Sequence, residues 1–255
     1  MKKSILITGG AGFVGSNLAV MLKDKYPESS IVVLDNLKRR GSEVNIIRLK
    51  EYGIEFVHGD IRNEEDFYEI SNNISLIIEC SAEPSVLAGY NSSVQSLIKT
   101  NLIGTINCLG YAKQINADII YLSSSRVYPK YLLNQINIIE NETRFIIDNH
   151  QIIPGVDQNG ISEKFPLDGS RSLYGATKLA SELMIIEYLD MYEIKGVINR
   201  CGVISGPWQM GKVDQGIFTF WMLNHYFKKE LNYFGYNGKG KQVRDLLHIS
   251  DLFRL

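Results

Sequence analysis

Residues 4 to 15 read Ser4-Ile-Leu-Ile-Thr-Gly-Gly-Ala-Gly-Phe-Val-Gly15. A short apolar run breaks at paired glycines, and a helical stretch from Gly12 to Lys25 follows. Gly10, Gly12 and Gly15 fit G-x-G-x-x-G, while Gly9, Gly12 and Gly15 fit the related G-x-x-G-x-x-G. Without side chains the backbone turns sharply and approaches a pyrophosphate held at the positive end of the following helix. A second apolar run closes on Asp35, 20 residues beyond Gly15. A carboxylate there accepts hydrogen bonds from a free ribose 2′-hydroxyl and repels the 2′-phosphate of NADP, so it favours NAD. The basic run Lys38-Arg39-Arg40 could instead clamp that phosphate or simply be a solvated loop.

Outward from this loop, apolar runs alternate with helical stretches. Ser4 to Thr8, Ile31 to Asp35, Glu55 to His58, Leu76 to Cys80, Ile119 to Leu122 and Val197 to Arg200 read as strands buried on both faces. Gly12 to Lys25, Glu64 to Ser71, Val94 to Lys113 and Ser172 to Tyr192 read as helices. The expected fold is α/β, a Rossmann-type doubly wound parallel sheet over residues 1–200. Residues 130–172, dense in Asn, Asp and Gly, read as a long, partly ordered loop. Residues 201–255 begin a smaller substrate lobe packed over the strand ends. The chain stops just after a helix start capped by Ser250, which reads as a fragment with that lobe incomplete.

At about 150 residues per domain, 255 residues make one large domain, or one plus a small lobe. Twenty-seven basic and 28 acidic side chains give a net charge of −1, which supplies no field for nucleic acid or an anionic membrane. Three scattered cysteines suit a reducing, cytoplasmic compartment. No apolar run reaches the roughly 20 residues of a membrane span, and the four histidines lack metal-site spacing.

Tyr174-Gly-Ala-Thr-Lys178 places a phenol and an ammonium on one helix face, one turn apart. A free tyrosine has a pKa of about 10, and a nearby lysine stabilises the phenolate so that it takes a proton near neutrality. Ser124, within Ser123-Ser124-Ser125, can hold the substrate alcohol while hydride leaves its carbon for nicotinamide. Asp60, after the third strand, reads as a partner of the adenine amino group or as part of a simple turn.

The motifs named so far, with Asp35-Asn36-Leu37, Gly59-Asp60-Ile61-Arg62, Ser81-Ala82, Asn101-Leu-Ile-Gly-Thr105 and Gln242-Val-Arg-Asp-Leu-Leu-His248, resemble the extended short-chain dehydrogenase/reductase family. This family contains the NAD-dependent nucleotide-sugar epimerases and dehydratases. The resemblance covers essentially the whole chain. It implies cofactor contacts from Gly9, Gly10, Gly12, Phe13, Val14, Gly15, Asp35, Asn36, Asp60, Ile61, Ser81, Ala82, Glu83 and Asn101, and from Tyr174 and Lys178. It implies Ser124, four residues before the Tyr of Val127-Tyr128, as the catalytic serine. It also implies pairing of the Val94–Lys113 and Ser172–Tyr192 helices between subunits, in a homodimer or homotetramer. Val94, Leu97, Ile98, Leu102 and Ile106 would form one apolar stripe, and Leu173, Ala176, Ala180, Leu183 and Met184 the other.

Water-eliminating members follow the catalytic residue with Asp-Glu, but this chain has Ser125-Arg126. The 50 residues from Ser124 to Tyr174, together with Val213-Asp214-Gln215-Gly216 and the run Gly238 to Asp245, are similar to epimerases of CDP-linked deoxyhexoses. That likeness implies a nucleotide-sugar epimerase inverting one carbon, C2 of a CDP-linked dideoxyhexose, through a transient keto sugar. Another dehydratase or reductase of the family, or a non-catalytic NAD-binding sensor, are the alternatives. Arg244 is expected on the nucleotide diphosphate, and Gln215 on the sugar or nucleotide. Glu83 reads as a substrate contact, a second acid or base, or a solvated charge. After the sixth strand the chain lacks the Asn that many relatives place on the diphosphate.

Overall fold

The computed structural model describes residues 4–70, 73–90, 93–211, 216–232 and 243–255. Six parallel strands form the central sheet: β1 (Ser4–Thr8), β2 (Ser30–Asp35), β3 (Glu55–His58), β4 (Leu76–Glu79), β5 (Asp118–Ser124) and β10 (Gly196–Cys201). Their order, β10-β5-β4-β1-β2-β3, reverses direction beside β1. In such a sheet the crevice at the strands' carboxyl ends, at that reversal, is where ligands bind. The expected Rossmann-type fold is therefore the observed one.

Two apolar layers sandwich the sheet. One holds Leu6, Val32, Leu34, Ile77, Ile119 and Tyr121 against Leu109 and Ile185. These last two lie on α4 (Gly104–Ile115) and α6 (Leu173–Tyr192). The other sets Ile5, Ile7, Ile31, Val33 and Ile78 against Leu18 and Ala19 of α1 (Phe13–Lys25). Burying each such aliphatic side chain contributes about 1.5–3 kcal/mol, so the sheet centre is the most strongly held part of the molecule.

Several elements differ from expectation. Of the helix expected over Glu64–Ser71, whose last residue lies outside the described residues, one 3-10 turn forms, Glu64–Phe67, where the Asp66 carboxylate turns back to accept the Asp60 N–H at 2.6 Å. Phe67, 1% exposed, pins that turn to the core. An unforeseen helix, α2 (Val44–Glu51), is anchored by buried Leu49 and by Asn45 Nδ2, which donates to the Ala11 carbonyl at 2.8 Å. The helix expected over Val94–Lys113 is α3 (Val94–Ile98) and α4 joined by a π turn, Lys99–Ile103.

Residues 130–172 carry more order than a loop. They contain α5 (Lys130–Leu133) and two hairpins, β6 (Ile138–Glu140) with β7 (Phe145–Ile147) and β8 (Val156–Asp157) with β9 (Gly160–Ile161). Ile153 and Phe165 bury against Val127 and Tyr128, with the Tyr128 and Phe165 rings edge to face at 5.4 Å. Beyond residue 200, β11 (Val203–Ser205) pairs in parallel with β12 (Leu246–His248), and α7 (Ile217–Tyr226) lies between them in sequence. The final helix, α8 (Ile249–Arg254), packs on α1 and adds Ile249 and Leu252 to the core. Its cap is His248, whose Nδ1 accepts the Ser250 N–H at 3.3 Å, not Ser250 as expected. Among the described residues no helix is long and apolar enough to cross a membrane.

Candidate active site

The glycine loop leaves β1 at the switch point. Gly9 has φ +64°, and a Cβ there would meet the Ser81 backbone at 2.9 Å. A Cβ on Gly15 would come within 2.4 Å of the Gly9 carbonyl oxygen, so α1 starts hard against the loop only because that side chain is missing. No side chain caps α1 and its first turn holds no acid, which leaves the N–H groups of Phe13, Val14 and Gly15 facing a space suited to a diphosphate. Asp35 Oδ2 accepts the Ala11 N–H at 3.1 Å and Oδ1 the Leu37 N–H at 2.8 Å. Burial raises the pKa of Asp35 against these bonds. A carboxylate offers about four acceptor sites, so acceptor capacity remains for a ribose hydroxyl.

Asn36 Nδ2 donates to Asp60 Oδ2 at 2.9 Å. Asp60 is also gripped by Arg62, whose Nε lies 2.8 Å and 2.9 Å from its two oxygens. Burial would raise the Asp60 pKa, but Arg62 and Asn36 prevail and hold it at about 2. Ile61 is buried beneath Gly104, and its carbonyl accepts from Asn107 Nδ2 at 2.9 Å.

On the far side of the crevice, Ser81, Ala82 and Glu83 follow β4. Asn101 lies in the π turn and is buried; its Oδ1 accepts the Glu83 N–H at 2.7 Å. Its Nδ2 donates to the Glu83 carbonyl at 3.2 Å and to Thr177 Oγ1 at 3.3 Å. Asn101 thus fastens the β4 loop to α6, and all these partners are protein groups. The Glu83 carboxylate accepts the Ser85 N–H at 3.3 Å, closing its own turn.

Ser124 ends β5, and its Oγ accepts the Arg126 N–H at 3.2 Å. Ser172 caps α6 by accepting the Gly175 N–H at 3.1 Å, which fixes where Tyr174 and Lys178 emerge. Gly175 seats α6 on the turn after Ser124: a Cβ there would lie 2.1 Å from the Arg126 carbonyl oxygen. Lys178 is 3% exposed; its Nζ donates to the Leu122 carbonyl at 2.8 Å and sits 4.5 Å above the Tyr121 ring. Tyr174 is 9% exposed. Serine, tyrosine and lysine are therefore presented by adjoining elements, β5 and α6, at the carboxyl edge of the sheet.

Several supporting residues gave no sequence signal. Glu182, one helical turn below Lys178, accepts from Ser123 Oγ and pairs with Arg200, whose Nη2 lies 2.7 Å from Oε2. The Glu182 carboxylate drives the Arg200 pKa upward against the opposing effect of burial. These partners are 59 and 18 residues from Glu182, beyond any local spacing rule. Arg126 stands where water-eliminating members of the family hold an acid. Burial lowers its pKa, the Arg244 charge lowers it further, and Tyr174 opposes both. Arg244 Nη1 donates to the Val243 carbonyl at 2.7 Å. Gln215 lies outside the described residues.

Residues 5–255 match the NAD dependent epimerase/dehydratase family. The chain belongs to that family. NAD is the cofactor of this epimerase/dehydratase, and the glycine cradle and Asp35 fit it. The chain is 35% identical over 263 residues to CDP-paratose 2-epimerase of Salmonella typhi, covering 98% of this chain and 72% of that protein. It is 30% identical to dTDP-D-glucose 4,6-dehydratase of Dictyostelium discoideum, over 98% of this chain and 54% of that protein. Among solved structures, UDP-glucuronic acid 4-epimerase from Bacillus cereus, in complex with UDP-glucuronic acid and NAD, is 26% identical. It superposes with a TM-score of 0.74 over 98% of this chain and 71% of its own. The NAD complex of dTDP-glucose 4,6-dehydratase from Bacillus anthracis, 24% identical, shares the fold with a TM-score of 0.75 over 99% of this chain and 69% of its own.

Proposed function

We propose that this member of the family is an epimerase that inverts C2 of a CDP-linked dideoxyhexose. The observation that carries the reading is Arg126, two residues beyond Ser124, in a site otherwise complete with Ser124, Tyr174 and Lys178. A dehydratase must deliver a proton to a leaving hydroxyl, and a guanidinium does not give one up at neutral pH. An epimerase needs only one base that takes a proton and returns it. The likeness to CDP-paratose 2-epimerase supports the nucleotide and the carbon.

Tyr174 Oη accepts the proton of the sugar hydroxyl while Ser124 Oγ holds that oxygen by a hydrogen bond. Lys178 Nζ, fixed by the Leu122 carbonyl, stabilises the resulting phenolate. Bound NAD supplies a reversible acceptor for hydride from the sugar carbon. Phe13, Val14 and Gly15 N–H groups hold its diphosphate and Asp35 its ribose. Because the hydride returns to the same carbon on its opposite face and the proton to the same oxygen, the sugar leaves inverted with no net change in oxidation state. Arg244, and Gln215 from the residues not described, bind the nucleotide diphosphate and sugar, with Glu83 beside the ring.

A subunit contact on the outer faces of α3 and α6 is part of this reading, supported by Val94, Ile98, Leu173 and Leu183, which are 37%, 38%, 47% and 58% exposed. The test of the activity is incubation with CDP-, UDP-, GDP- and dTDP-hexoses in deuterated buffer, following stereochemistry by NMR and NADH by absorbance. Inversion without net NADH change, absent in Tyr174→Phe, is expected. Loss of water from the sugar, or net NADH formation, would overturn the reading.

A further inference from the structure

Behind Lys178 the sheet carries a row of polar side chains that the reaction as described does not use. Thr8, Glu79 and Tyr121 are in register on neighbouring strands β1, β4 and β5, so all three project from the same face. All three are fully buried, at 0%, 1% and 0% exposure. Thr8 Oγ1, Glu79 Oε2 and the Tyr121 hydroxyl make no hydrogen bond of good geometry among the described residues. Lys178 Nζ stands over the Tyr121 ring, beside the carboxyl of Glu79.

The hydrogen bonds on the other oxygen of Glu79 do not close if that group is a carboxylate. Thr105 Oγ1 lies 2.7 Å from Glu79 Oε1 and 2.9 Å from the Asn101 carbonyl oxygen. A hydroxyl has one proton and can donate to only one of them. If Glu79 is protonated, it donates to Thr105 Oγ1 and Thr105 donates to Asn101, and both contacts are satisfied. The Asn101 carbonyl also accepts from Ser181 Oγ at 2.8 Å, so this chain runs into the same residue that fastens the β4 loop to α6.

We propose that Glu79 is a positioning residue of the hydride chemistry, a buried acid that leaves the Lys178 charge undivided on Tyr174 while it holds its proton and divides that charge once it ionises. The inference rests on the reading of Tyr174 as the base. An ionised Glu79 would oppose Lys178 and make the phenolate harder to form. The titratable groups facing Glu79 are Lys178 on α6, Tyr121 on β5, Cys108 on α4 and Cys80, next to it in the chain. Only Lys178 among them favours the ionised form. Burial outweighs that attraction and pushes the Glu79 pKa up to about 7. Glu79 therefore ionises within the working range and caps activity from the alkaline side.

The decisive experiment uses NAD-loaded protein and needs no sugar. The tyrosinate absorbance lost in Tyr174→Phe gives the midpoint of Tyr174, which is compared in the wild type, Glu79→Gln and Glu79→Asp. Glu79→Gln, neutral and able to donate to Thr105, is expected to lower the midpoint by about one pH unit, with Glu79→Asp remaining near wild type. An unchanged midpoint in folded, NAD-binding Glu79→Gln would overturn the proposal. If that variant does not fold, carboxyl-labelled glutamate NMR of the wild type decides. One resonance titrating near neutrality, displaced in Lys178→Met, is expected; titration of every glutamate below about pH 5.5 overturns it. A moved midpoint in protein that epimerises no nucleotide sugar would leave this proposal standing and remove only the epimerase reading.

Discussion

Lys178 Nζ donates to the carbonyl oxygen of Leu122 at 2.8 Å, tying the second turn of α6 to the strand that ends in Ser124. In the proposed reaction the ammonium is both a charge for Tyr174 and a structural strut. Lys178→Met removes both and leaves the Leu122 carbonyl without its donor. A fall of about 100-fold or more in kcat is expected, with about 1–3 kcal/mol lost from urea unfolding. Retention of kcat within about threefold would contradict the role of Lys178.

The pair of Glu182 with Arg200 lies beneath this strut, with side-chain exposures of 2% and 19%. Removing one charge strands the other. Glu182→Leu is expected to destabilise the protein by about 3 kcal/mol, read as a lower Tm. Arg200→Met in the same background should recover much of that loss, since the pair is then replaced by apolar contacts.

Asp60 and Glu79 give the stability curve two separate slopes. Asp60 is held at about 2 in the folded protein, below its ordinary 3.8, so its contribution is present above about pH 4 and is lost as pH falls towards 2. Solvent reaches this pair, and the contribution is about 1 kcal/mol. Glu79 is raised from 4.5 to about 7, so the folded state binds the extra proton and stability declines as pH rises between those values. Arg62→Ala should flatten the acid slope and Glu79→Gln the second, each seen in urea titrations across the pH range.

Gly15→Ala tests the cradle. The added methyl meets the Gly9 carbonyl oxygen at 2.4 Å and must push α1 away from the loop. NAD affinity by calorimetry is expected to fall at least about tenfold, with unfolding free energy lowered by about 1–3 kcal/mol. Unchanged affinity would place the diphosphate elsewhere.

Leu183→Glu probes the proposed subunit contact. A charge on this 58%-exposed apolar position should shift sedimentation from dimer to monomer with the helix intact. A wild-type sedimentation profile in the variant would move the interface off α6.

What was legible in the sequence was local. The glycine loop, Asp35 and the Tyr174-to-Lys178 spacing are short-range patterns with one geometric solution, and they sit on elements beside the carboxyl ends of neighbouring strands. What was not legible depends on distant partners. Asn101 looks like a cofactor contact in its motif, yet its side chain joins the Glu83 backbone to Thr177, 76 residues further along the chain. Glu64 to Ser71 has helical residues but is overruled by one carboxylate reaching Asp60. Within residues 130–172, Leu132, Ile136, Ile153, Val156 and Phe165 gather on Val127 and Tyr128, but their spacing along the chain is irregular and produces no period.

The π turn at Lys99–Ile103 accommodates an extra residue between α3 and α4. Deleting one residue there would give a more regular helix while rotating one half against the other by about 100°. Asn101 would swing away from both the Glu83 loop and Thr177. The irregularity is thus the alignment gauge of the molecule: engineering that straightens this helix for stability would erase the register between cofactor loop and catalytic helix.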